Sequence, residues 1–226
     1  MKKLKHTLLG TAMMILSANT FAQVVDGGTT GSLTWQITGT YPTYTLTISG
    51  SGAMPNITLP WYSYKANIAT VVIGDSVTNI GYSAFSSCSG LTSVTIPNSV
   101  TTIALYAFYD CSGLTSVTIG NSVKTIGDYA FSSCSGLTTV NFNADSCIWV
   151  SYDCWNGCTA FRTLNIGNNV KRIPIQAFYD CSGLTSVTIP NSVTTIGGSA
   201  FSNCSGLTSV TIPKLLEIML FLLAAV

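Results

Sequence analysis

Apolar residues recur along most of this chain at fixed places within a unit of 23 residues. In the unit from Leu91 they are Leu91, Val94, Ile96, Val100, Ile103, Ala107, Phe108 and Cys111. The same slots are refilled in the units that begin at Ile68, Leu114, Leu137, Phe161, Leu184 and Leu207, with one step of 24 residues, from Leu137 to Phe161. Val94 and Ile96 alternate with Ser93 and Thr95, the period of two that marks a half-buried strand, and the Thr-rich, β-branched composition agrees. Pro97-Asn98-Ser99 predicts a turn and Val100 to Ile103 a second short strand. Ala107-Phe108 with Cys111 predicts a tight helical or 3₁₀ turn, closed by Ser112-Gly113. Each unit is therefore one coil, and the fold class is mainly β with short helical turns: a solenoid of about six to seven 23-residue coils.

A single coil exposes its apolar slots above and below, so it is stable only when neighbours cover them with strand hydrogen bonds and ladders of like side chains. The expected rise is about 4.8 Å per coil. Residues 68–213 carry the repeat. Before it, residues 23–67 contain two alternating segments, Gly31 to Thr38 and Tyr44 to Ser49, which predict an N-terminal β-hairpin that caps the first coil. After Pro213 the repeat stops, and residues 214–226 form an apolar tail. It is too short to span a bilayer as a helix and reads either as a cover for the last coil or as the product of a shifted frame.

The wording L-x-x-V-x-I, then P-N-S-V-T-x-I-G-x-x-A-F-x-x-C-S-G, resembles the BspA-like leucine-rich repeat of bacterial secreted and surface proteins. GTTGSLTWQITG, YTLTISGSGAM and PWYSY resemble that family's amino-terminal region. The resemblance implies a leucine-rich-repeat solenoid that binds proteins. It also implies host extracellular-matrix or cell-surface proteins as partners, and adhesion as the role. An envelope scaffold without a host ligand is the alternative.

Lys2, Lys3 and Lys5 precede an apolar run from Leu8 to Leu16, and Thr20-Phe21-Ala22 offers small residues where a signal peptidase reads. Residues 1–22 are expected to be a secretory signal peptide, which makes the protein secreted or cell-surface. Without them, six Lys and Arg stand against eight acidic residues, a formal charge of −2. Clustered positive charge, the driving force for nucleic-acid binding, is missing. His6, the single histidine, leaves with the leader. Histidine-based nucleophile pairs, acid/base chemistry and zinc ligation go with it, and no pattern calls for a cofactor. Asp110 and Asp180 share a slot three coils apart, about 14 Å, beyond the roughly 9.5 Å that a pair of glycosidase carboxylates tolerates. The reading is of a binding protein, not an enzyme.

Cys88, Cys111, Cys134, Cys158, Cys181 and Cys204 occupy one slot, so stacking aligns them in a column of small inward residues. Cys147 and Cys154 replace the inward Val and Ala of the 24-residue coil. Packing or a local disulfide is expected there rather than zinc, because no C-x-x-C unit is present. That coil also carries Ile148-Trp149 where its neighbours carry Thr or Lys, and the next coil puts Lys171-Arg172 in the same slots. Stacking would place Trp149 beside Arg172. An exposed aromatic with adjacent cations has the composition of an interface anchor, so Ile148, Trp149, Lys171 and Arg172 are the candidate partner-binding residues.

Overall fold

The computed structural model describes residues 23–56 and 59–213. The signal peptide expected over 1–22 and the tail over 214–226 lie outside the described residues. Three antiparallel strands open the fold: β1 (Val24–Thr30), β2 (Leu33–Thr40) and β3 (Thr43–Gly50). The predicted hairpin is the β2–β3 pair, and β1 is an added strand that the sequence reading missed. Its Asp26 accepts a 2.8 Å hydrogen bond from the hydroxyl of Tyr64, which ties the new edge to the 3₁₀ helix Pro60–Asn67. β3 then pairs in parallel with Ile68–Ile73, so the cap merges into the solenoid sheet.

From there each coil adds one parallel strand: Ser93–Thr95, Ser116–Ile119, Thr139–Phe142, Thr163–Ile166, Ser186–Thr188 and Ser209–Thr211. Register passes from coil to coil without slippage, as in Val94↔Val117↔Val140↔Leu164↔Val187↔Val210. A one-residue slip would turn every core residue outward, so the buried slots enforce this register. The second strand has its predicted four residues in the first coil, Val77–Ile80, and is shorter in those that follow. In the second coil it is Thr102–Ile103, while the amide of Val100 belongs to the preceding turn and bonds to Pro97 O.

The predicted helical turn is replaced by a chain of turns whose amides alternate in direction. The amides of Ala107, Tyr109 and Cys111 bond back to the carbonyl three residues earlier. Those of Tyr106, Phe108 and Asp110 bond forward to Asp128, Ala130 and Ser132 of the next coil. Tyr106 and Asp110 reach this geometry with φ of 58° and 57°, and the same slots are left-handed at Tyr129, Ser133, Gln176 and Asp180. A left-handed non-glycine residue costs about 1–2 kcal/mol, and here the coil-to-coil hydrogen bonds offset that cost. A continuous helix would satisfy these amides internally and leave the next coil's carbonyls bare.

Phe85, Phe108, Phe131 and Trp155 stack face to face down the axis, with 5.0 Å between successive ring centroids. The step from Trp155 to Phe178 is 6.2 Å. This widening marks a seam. At the other junctions of the complete coils the second strands are bridged by backbone bonds such as Gly127 N to Ile103 O and Ser151 N to Ile126 O. In the fifth coil that donor slot holds Pro174, which has no N–H to give Val150 O. Accordingly Trp149–Val150 ends one short sheet and Arg172–Ile173 begins another. In the turns, the indole Nε1 of Trp155 donates to Ala177 O at 2.9 Å, where other coils use a backbone amide. Only the main sheet crosses this junction with its ladder intact, through Thr139–Phe142 and Thr163–Ile166.

Amide exchange should report the seam. The amides of Phe131 and Ser133 bond forward to Cys154 and Asn156, whereas their counterparts Trp155 and Gly157 have no such partner among the described residues. Exchange at Trp155 and Gly157 is expected to be faster by about tenfold or more. Equal protection at the two positions would remove the seam.

Candidate functional site

The four sequence-predicted residues all face solvent. Ile148 is 64% and Trp149 51% exposed, the largest apolar pair on the second-strand face, and Lys171 and Arg172 are exposed on the following coil. Val150 and Ile173 beside them are buried, so the strand alternation that turns those residues inward holds Trp149 and Arg172 outward. The two pairs do not share a sheet, because the break at Pro174 falls between them. The cation–π pair found among the described residues is Lys65 over Tyr62 at 4.1 Å, not Arg172 over Trp149. Trp149 therefore presents its ring to solvent across an unpaired strand edge, rather than spending it on an internal contact.

Two further surfaces flank this one. The outward slots of the main sheet carry hydroxyls and amides, some linked along the axis: Asn165 Nδ2 donates to Asn141 Oδ1 at 2.8 Å, and Asn141 Nδ2 to Thr118 Oγ1 at 3.1 Å. On the turn side stands a series of tyrosines that the sequence reading did not single out. They fall in three repeat slots, Tyr82 with Tyr152, Tyr106 with Tyr129 and Tyr109 with Tyr179, so they form one series only once the coils are stacked. The Asp153 carboxylate raises the hydroxyls of Tyr129 and Tyr152 above the ordinary tyrosine range, chiefly by its charge at Tyr129 and by hydrogen bonding at Tyr152.

All eight cysteines are buried, and all are free thiols. The column serves the backbone: the Sγ of Cys111, Cys134, Cys158 and Cys204 each lies 3.0–3.1 Å from the carbonyl of the repeat Phe one coil back, Phe85, Phe108, Phe131 and Phe178. Cys181, just past the seam, lacks this bond and its thiol turns to Tyr179 O. Burial pushes Cys88 up to about 12 and Cys147 up to about 11, values that remove thiolate chemistry near neutrality. Among the described residues no group of three metal-ligating side chains comes together, and no helix is long and apolar enough to cross a membrane. Asp110 and Asp180 sit at equivalent turn positions, each with left-handed backbone.

Comparison with known proteins fits this geometry. No curated protein matches the chain. Among solved structures, a leucine-rich-repeat protein of T. pallidum is 24% identical with a TM-score of 0.53, over 84% of this chain and 92% of that one. A leucine-rich cell surface protein from Faecalibacterium prausnitzii A2-165 is 28% identical with a TM-score of 0.38, over 82% of this chain and 54% of that one. The model of the BspA type leucine-rich repeat region matches in six copies, over residues 56–148 and 149–220. Its two stretches meet at Trp149, beside the junction where the second sheet breaks. With the match covering most of the chain, and the coils, register and cap all in place, the chain belongs to the BspA-type leucine-rich-repeat family.

Proposed function

We propose that this protein is an exported, surface-exposed binding module that attaches to other proteins, with adhesion to host extracellular-matrix or cell-surface proteins as its role. The observation that carries the reading is the exposed Ile148-Trp149 pair, with Lys171-Arg172 exposed on the following coil. A large aromatic left in water costs apolar hydration that only a partner recovers, and Trp and Arg are the residues on which interfaces concentrate their energy. Repeat solenoids of this family supply extended surface rather than a deep polar cleft, which suits recognition of macromolecules better than catalysis. The leader-like residues 1–22 support export.

The test is surface binding of the mature chain to immobilised matrix proteins and whole host cells. Saturable binding is expected, weakened about tenfold or more by Trp149→Ala and by Arg172→Ala, in variants whose melting temperatures match the parent. Unchanged affinity in both variants would sink the patch as the contact. Absence of binding, with the protein retained in the cell envelope, would favour the scaffold.

A further inference from the structure

Tyr82, Tyr106, Tyr109, Tyr129, Tyr152 and Tyr179 line the turn side of the coils. Tyr106 stacks on Tyr129 at 5.3 Å and meets Tyr82 and Tyr109 in T-shaped contacts at 6.1 and 5.4 Å, while Tyr152 meets Tyr179 at 6.2 Å. The rings remain open to solvent: Tyr82 is 45% and Tyr152 51% exposed. Buried aromatic contacts explain a core, but this series lies outside it, on the far side of the backbone from the Phe stack. It is an aromatic surface without a described occupant.

Charge selects the occupant. The turn segments 81–90, 104–113, 127–136, 151–160, 174–183 and 197–206 contain Asp110, Asp128, Asp153 and Asp180 and not one Lys or Arg. Of the five described cations, Lys124, Lys171 and Arg172 stand on the second-strand face and Lys65 lies over Tyr62 in the cap; Arg162 alone reaches the turns, at their end away from the tyrosines, where its guanidinium donates to Thr159 O and Phe161 O. Tyrosine rings carry a negative quadrupole on their faces, and a guanidinium or ammonium group beside them gains further from carboxylates at the same site.

We propose that the turn face, built from these tyrosines and interleaved aspartates, is a second docking surface that takes a cationic, extended polypeptide segment lying along the solenoid axis. It is separate from the Trp149 patch and does not depend on it.

The probe is a fluorescein-labelled peptide of alternating Arg and Ser, titrated into the full mature chain and followed by anisotropy, with a Glu-Ser peptide of equal length as control. The Arg-Ser peptide is expected to bind and the Glu-Ser peptide not, with affinity falling as salt rises. Asp128→Asn with Asp153→Asn should weaken binding at least tenfold. Tyr82→Ala with Tyr152→Ala, which leaves the charge unchanged, should weaken it at least fivefold, and Trp149→Ala should leave it unaltered. These positions are exposed or half-buried, and melting curves check that each variant is folded. Full affinity in the tyrosine variant would reduce the effect to unspecific charge attraction and overturn the proposal. So would an absence of peptide binding, or capture of a neutral oligosaccharide on the tyrosines that survives the Asp→Asn changes.

Discussion

Truncating Phe131 to alanine lowers the stability of the solenoid by about 3–5 kcal/mol, and with it the melting temperature by on the order of 10 °C for a domain of this length. Phe131 is fully buried, and its ring lies 5.0 Å from Phe108, at an interplanar angle of 1°, and 5.0 Å from Trp155, at 9°. Two coils are clamped to it from opposite sides. Neither can collapse into the vacated volume, because coil spacing is set by backbone hydrogen bonds on the main sheet and through the turns. The cavity therefore persists, and the loss exceeds the transfer free energy of the ring. Phe201 provides the comparison. It is stacked on Phe178 alone, at 5.6 Å, and is partly exposed in the last full turn. Phe201→Ala should cost clearly less. Thermal or denaturant unfolding of the two variants decides the matter, and equal losses would contradict a core held by through-stacking.

Raising the pH above 9 destabilises the fold, because the buried thiols resist ionisation that the unfolded chain accepts. The ordinary thiol value is 9.0, and the folded protein holds Cys88 up to about 12 and Cys147 up to about 11 through burial. Cys154 is raised further by burial, and Cys134 first by its thiol neighbour Cys111 and then by burial. The sign follows from proton linkage: between 9 and 11 the native state keeps protons that the unfolded state releases, so stability falls as pH rises. Each such thiol contributes a slope of about 1.4 kcal/mol per pH unit. Cys204 runs the other way, lowered by its hydrogen bond with Cys181 at the less buried end of the column; its effect develops below pH 9 and adds no slope between 9 and 11. Several thiols acting together make this a steep loss. Urea unfolding at pH 8, 9, 10 and 11 measures it; replacing Cys147 by Val, the residue that fills this slot in other coils, should flatten the slope by about one proton. A midpoint indifferent to pH over that range would show that the thiols are not protonated and buried as described.

The period, the strand register and the inward placement of the cysteines were legible because each depends on which residues are apolar, and Val94, Ile96, Phe108 and Cys111 repeat that information in every coil. The hairpin of the cap was legible for the same reason. The turns were not. Tyr106 and Asp110 carry no signature of left-handed backbone; that conformation is imposed by the next coil, whose carbonyls need forward-pointing amides. Two written signals of the seam were passed over. Pro174 stands where Ala104, Gly127, Ser151 and Gly197 donate an amide, and Trp155 stands where the other full coils carry Phe. Of the candidate contact patch, composition and exposure were readable from Ile148, Trp149, Lys171 and Arg172. The missing strand pairing between the two halves of the patch was not, since it depends on a donor absent from a different slot.

Pro174 and Trp155 also bear on how damage spreads. In a stack of coils joined only to their neighbours, cooperativity is limited by the weakest coupling, and here that coupling lies between the fourth and fifth coils, where a single ladder crosses. Unfolding that starts on the Arg172 side of this junction meets a firebreak there. The capped block carrying Trp149 can outlive the block carrying Arg172. Partial melting would then dismantle the two halves of the contact patch at different times, making a partner seated across the junction a clasp that holds both blocks together.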